Sequence, residues 1–284
     1  MFKILFIFIL ALIFQLINPK LTFAYGLLTH IELMTQTIRT LGSEFGYILN
    51  TFLFYSTLGA IGPDIFKGSL FKKLHGGEFT QFAHGMIDYL MGLAPGEKRD
   101  KLTAYLYGYL THIAGDIHGD ILAHRLSNQK EHTGKFNQVY LHQDLYVICK
   151  YNPAGANNKA NLKIELYELD TDIVQMFRMV FDKLEGGAFE LKWKEFMSSY
   201  DRTRLFIWWL IKEAKQPFLR IFLPYKFSTK YLLEFEHNFE DAKQKAGQFV
   251  EVAKEYLHAP EWKKQGSDKL KEVIKEDYVG CPYL

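Results

Sequence analysis

Apolar residues recur at intervals of three and four along most of this chain, and no convincing run alternates with the period of two that a half-buried strand requires. The pattern is plain from His30-Ile31-Glu32-Leu33-Met34 onward and again from Leu102 to Leu126. A chain patterned in this way buries its apolar surface by packing helix on helix, so the spacing predicts an all-α fold. At 284 residues, 48% of them hydrophobic, the chain can build a sizeable core without staples and is too apolar for disorder. No internal repeat of solenoid period interrupts it.

Turn-forming residues punctuate the helical pattern at Gly62-Pro63-Asp64, His75-Gly76-Gly77, Ala94-Pro95-Gly96 and the polar stretch from Asn152 to Asn158. The last is the predicted boundary. It divides a helical domain over 25–150 from a helical extension over 151–284 that packs on or caps the first. Within the extension, helices are predicted in the regions 160–185, 188–214 and 229–257, with Gly186-Gly187 and Pro224 between them.

Residues 1–24 have the parts of a secretory signal peptide: a basic start at Lys3, an apolar run from Ile4 to Ile17 broken only by Gln15, and small residues at Thr22 and Ala24. The run is short for a membrane span, although an uncleaved anchor is the competing reading. The expected product is an exported protein, secreted or periplasmic, whose first residue is Tyr25. A freed α-amine titrates near pH 7.7 to 8.0 and can therefore ligate a metal at about neutral pH. Loss of Lys3 and Lys20 takes the basic count from 34 to 32, equal to the 32 acidic residues. A near-neutral chain has no broad attraction for nucleic acid. The two cysteines, Cys149 and Cys281, leave room for one bridge and no disulfide framework.

Histidine divides the chain more sharply than composition does. Eight of the 10 lie at His30, His75, His84, His112, His118, His124, His132 and His142, leaving His237 and His258 for the remainder. The densest cluster runs from Tyr109 to His124. On a helix, His112 and Asp116 share a face about 6 Å apart along the axis and can present an imidazole and a carboxylate to one ion. Asp120 continues that face. His124 lies about 12 Å beyond Asp116 on a regular helix, and His118 points elsewhere unless Gly115 or Gly119 breaks the helix. Three further features add to this pair: Asp64 on the tight turn after Leu58-Gly59-Ala60-Ile61-Gly62-Pro63, His84 at the head of an apolar helix, and His30 close to the predicted new terminus. Taken singly, each is an ordinary core, capping or turn residue. Imidazole and carboxylate together, with no thiolate nearby, suit zinc in a catalytic rather than a structural site.

Four ordered motifs, Tyr25-Gly26-xx-Thr29-His30, Gly59-Ala60-xx-Pro63-Asp64, His84 at a helix start and Gly108-Tyr109-Leu110-Thr111-His112-xxx-Asp116, resemble the zinc-dependent phospholipase C family, whose scaffold is shared by fungal single-strand nucleases. The resemblance covers about residues 25 to 150. It implies an all-helical phospholipase C/nuclease-like bundle with up to three zinc ions in a cleft. Tyr25 would bind through its amine and carbonyl, and His30, Asp64, His84, His112 and Asp116 would be further ligands, Asp116 bridging two ions. Two positions depart from the family pattern. Asp120 stands where members often have His, so either its carboxylate substitutes or His124 takes over through an altered helix end. Gln138-Val139-Tyr140-Leu141-His142 stands where they show His-xxx-Glu, with Gln138 in place of the His and His142 in place of the Glu as ligand.

Such a site implies phosphoester hydrolysis, in which cations polarise the phosphoryl oxygens and lower the pKa of a bound water from 15.7 toward about 7. The resemblance gives Asp64 a catalytic role as well, orienting or deprotonating that water. A phospholipid is the expected substrate, and other phosphodiesters are alternatives. Two aromatic-rich segments, Leu205 to Ile211 and Phe218 to Phe227, suit a core first and peripheral contact with a membrane second. The rival expectations are a single-strand nuclease or phosphatase-like hydrolase and a non-catalytic secreted helical protein with a partial zinc site.

Overall fold

The computed structural model describes residues 26–65, 74, 79–127, 171–185, 197–205 and 229–258, with single positions at 139, 140, 143, 144, 146, 147, 150, 269 and 272. Every element among the described residues is helical, as the spacing predicts. They are α1 (Leu27–Thr40), α2 (Ser43–Thr51), α3 (Leu53–Ile65), α4 (Phe79–Met91), α5 (Glu97–Ser127), α6 (Thr171–Glu185) and α7 (Thr229–His258). Residues 197–205 and the described positions between 139 and 150 are also helical. The predicted signal segment, the stretch from Asn152 to Asn158 and most of the aromatic segments after Leu205 lie outside the described residues. No described helix is long and apolar enough to cross a membrane.

Helix α5 is the axis of the molecule. All sixteen positions from Leu102 to Ile117 are buried, which requires neighbours on every side. Helix α3 makes the most extensive contact, followed by α7 and α1, with α2, α4 and α6 completing the shell. Ala94-Pro95-Gly96 forms the α4–α5 connection as predicted, with Gly96 at φ 145°, a value that L side chains rarely adopt. Phe82, Tyr105, Tyr109, Phe177 and Phe181 interlock between α4, α5 and α6, with Phe82 and Phe181 stacked at 4.9 Å. A second cluster joins Leu33, Leu122, Val139, Tyr140, Val147, Phe235 and Phe239, so α7 and the 139–150 stretch pack against the middle of α1 and the C-terminal part of α5.

The α3–α5 crossing is a contact between backbones. A Cβ on Gly59 would lie 2.1 Å from the carbonyl oxygen of Tyr105, and one on Gly108 would lie 2.1 Å from that of Ser56. Only glycine lets the two helices approach so closely. The structure also corrects one expectation: Gly62-Pro63-Asp64 is the last turn of α3 and not a tight turn between elements. Pro63 forfeits the bond to the carbonyl four residues back, that of Gly59, and its ring crowds the same carbonyl. Burial of Leu58, Ile61 and Ile65 holds the turn helical against that loss. His84 likewise lies five residues inside α4, which begins at Phe79, and not at its head.

Candidate metal centre

Three helices bring His30, Asp64 and His112 together. One ligand atom from each lies within 4.8 Å of the other two. All three side chains are buried, as is Asp116, one turn along α5 from His112. Asp116 spans the two imidazoles. Its Oδ2 is 3.1 Å from His112 Nε2 and its Oδ1 is 3.4 Å from His30 Nε2. Both separations approach the edge of about 3.3 Å that follows for a tetrahedron with metal bonds of about 2.0–2.1 Å. The His30 and His112 rings stack with centroids 4.0 Å apart and planes 23° from parallel.

The sequence builds this local arrangement in identifiable ways. His112 Nδ1 lies 2.8 Å from the carbonyl oxygen of Ala60, an acceptor only, so Nδ1 carries the proton and donates. That bond fixes the tautomer and turns Nε2 toward the centre, as in metal sites whose ligands are oriented by outer partners. It also couples α5 to α3 beside the glycine crossing. Helix α1 reaches α5 over Gly115, where a Cβ would come 2.8 Å from His30 Nδ1. The bare backbone at that position makes room for the His30 ring.

Electrostatics follow from burial among mixed charges. Burial holds His30 below its ordinary value of 6.5, and the neighbouring His112 pushes it further down. Burial acts on His112 in the same direction, but Asp116, Asp64 and the Ala60 carbonyl outweigh it and raise His112 to about 9. Two imidazoles and two carboxylates that converge in the core, without a thiolate, fit a zinc ion by donor type and by spacing. A fifth ionisable group adjoins them. Asp144 accepts hydrogen bonds from the Thr29 amide and hydroxyl at 2.8 and 2.9 Å. Burial drives its carboxyl up to about 7 against the pull of those donors, and the charge of Asp64 adds to the rise.

Of the sequence-predicted ligands, His30, Asp64, His112 and Asp116 come together. His84 is half-buried on α4 and stands outside the group of three. Helix α5 runs unbroken through Gly115 and Gly119, so His118 stays off the His112–Asp116 face, and its carbonyl accepts from Asn238 Nδ2 at 2.9 Å. Asp120 belongs to α5, but its side chain is not among those described; Tyr25, His75, His132, Gln138 and His142 lie outside the described residues. Sequence reasoning assigned no role to Asp144 or Gly115. The available signal was Gly26, a residue with no side-chain acceptor at the start of a helix, which obliges the first turn to find one elsewhere.

A family model described as zinc dependent phospholipase C matches residues 29–216, about two-thirds of the chain. No curated protein and no solved structure matches it.

Proposed function

Since the chain belongs to the zinc-dependent phospholipase C family, we propose that it is an exported hydrolase that cleaves the phosphodiester of a phospholipid by attack of water. The observation that carries this reading is the convergence of His30, Asp64 and His112 within 4.8 Å, with Asp116 in contact with both rings. In this reading the protein begins at Tyr25 after removal of residues 1–24, the hydrolase domain spans 25–150, and 151–284 is a helical extension. Tyr25, His84, Asp120 and His142 are the proposed further ligands, for up to three ions.

His30, Asp64, His112 and Asp116 would hold zinc. When bound, the metal supplies Lewis acidity toward the phosphoryl oxygens and acidifies a water. The chain's own residues do the rest. The Ala60 carbonyl fixes the proton of His112 on Nδ1, leaving Nε2 as the donor atom. Asp116 meets both stacked rings, with Oδ2 at His112 Nε2 and Oδ1 at His30 Nε2. Asp64, nearly excluded from solvent at 2% exposure, is the proposed base that orients the attacking water and takes its proton. Peripheral contact with a bilayer would bring the lipid headgroup to the metal centre.

The test is hydrolysis of a phosphatidylcholine analogue and of single-stranded DNA, each with and without chelator, together with elemental analysis for zinc. Chelator-sensitive lipid cleavage is the expected result. Cleavage of DNA alone would identify a nuclease instead, and a zinc-free, inactive protein would defeat the hydrolase reading. The Asp64→Asn variant is expected to keep zinc and lose turnover; retained activity would remove Asp64 from the role of base.

A further inference from the structure

Helix α1 starts without a cap of its own. Gly26 occupies the N-cap position in an extended conformation, φ −66° and ψ 155°, and offers no side-chain acceptor. The first amides of a helix need acceptors from outside it. Asp144 supplies one from 115 residues away: a single oxygen, Oδ1, takes the Thr29 amide and the Thr29 hydroxyl. The Leu28 amide also donates to this carboxylate. The group is seated directly on the backbone, because a Cβ on Gly26 would come 2.2 Å from Asp144 Cγ. At 3% exposure it is shut off from water, and it faces the positive end of the helix.

His30 is the next residue. Its amide makes the first bond inside the helix, to the Gly26 carbonyl at 3.1 Å. Fraying of one turn therefore releases His30 before any other residue of the centre. Each residue of helix carries about 1.5 Å of rise, whereas a metal site tolerates roughly 0.2 Å in ligand distance. The clamp on the first turn thus acts at the scale that ligand geometry demands.

We propose that Asp144 is a positioning residue for the metal centre, fixing the height and rotation of His30 against His112 and Asp116 by closing the first turn of α1. This role rests on the zinc reading above. It goes beyond that reading in giving the 139–150 stretch a task at the centre that involves no contact with the ion.

The experiment measures zinc affinity of the full chain by competition with a chromogenic chelator, and the visible absorption of the cobalt-substituted protein, which reports ligand geometry. Asp144→Ala is expected to lower zinc affinity about 10- to 100-fold and to alter the cobalt spectrum, with Asp144→Asn recovering part of both. In a His30→Ala background the same substitution is expected to change affinity by no more than about twofold, the scatter of uncoupled pairs. A loss of equal size in both backgrounds overturns the role, because a merely structural defect does not depend on His30. Unchanged affinity and spectrum in Asp144→Ala overturn it as well. If the alanine variant does not fold, Asp144→Asn and Thr29→Val are compared in the same cycle, and full zinc affinity in both is the overturning result. A parent protein that binds no zinc defeats the metal-centre reading and this role with it, whereas a zinc-binding parent with an indifferent Asp144 defeats this role alone.

Discussion

The His112 ring faces two ways, toward Ala60 through Nδ1 and toward Asp116 through Nε2, and its titration follows from that placement. With its pKa raised from 6.5 to about 9 in the folded, metal-free protein, His112 contributes stability that is complete below pH 6.5 and is lost as pH rises through 9. Zinc must displace that proton. Affinity is therefore expected to climb between pH 6.5 and 9, by up to about tenfold per pH unit, while the melting temperature of the chelator-treated protein falls over the same window. Competition titrations and thermal melts at matched pH check both. Much of this residue's role is legible in the sequence, since His112 and Asp116 stand four apart on a strongly helical pattern. The pairing of Asp116 with His30 is not, because spacing along one helix carries no information about which distant helix docks on it.

At the scale of elements, the α3–α5 crossing decides whether Asp64 and His112 meet at all. Gly108→Ala puts a methyl group 2.1 Å from the Ser56 carbonyl oxygen, a backbone atom that cannot rotate away. The expected cost is about 1–3 kcal/mol or more of stability, with loss of zinc binding, read by denaturant melts and chelator competition. Alanine at Gly42, where nothing lies within 4 Å, is the control and should leave zinc binding intact. Periodicity anticipated α5 closely, from 102–126 against the observed Glu97–Ser127. It misread Gly62-Pro63-Asp64, since local turn chemistry competes there with burial of Leu58, Ile61 and Ile65, and the tertiary contribution prevails. The crossing itself could be found only by asking why glycine recurs in helices that have no need of its flexibility.

For the whole molecule, the centre sets three buried carboxylates, Asp64, Asp116 and Asp144, against two imidazoles of which burial keeps one from charging. Such a group is poorly balanced without a cation. Zinc at 100 times its dissociation constant should add about 2.7 kcal/mol of stability and raise the melting temperature by about 5 °C for a chain of this size. Scanning calorimetry with and without chelator checks this, and His112→Ala should abolish the difference. The all-helical class was readable from hydrophobic spacing alone. The wrapping of α5 by six helices was not, because it depends on which apolar faces find each other.

The bond between Thr29 and Asp144 also has a history in time. A ribosome that has just made Thr29 must add 115 residues before the carboxylate that closes its helix exists. At about 5–20 residues per second that interval is roughly 6 to 23 seconds. Until it ends, the first turn of α1, which carries His30, lacks the Asp144 acceptor for the Thr29 amide and hydroxyl. If Asp144 positions His30 as proposed, cation uptake waits for the 139–150 stretch, and a nascent chain halted before it has no finished cradle to load.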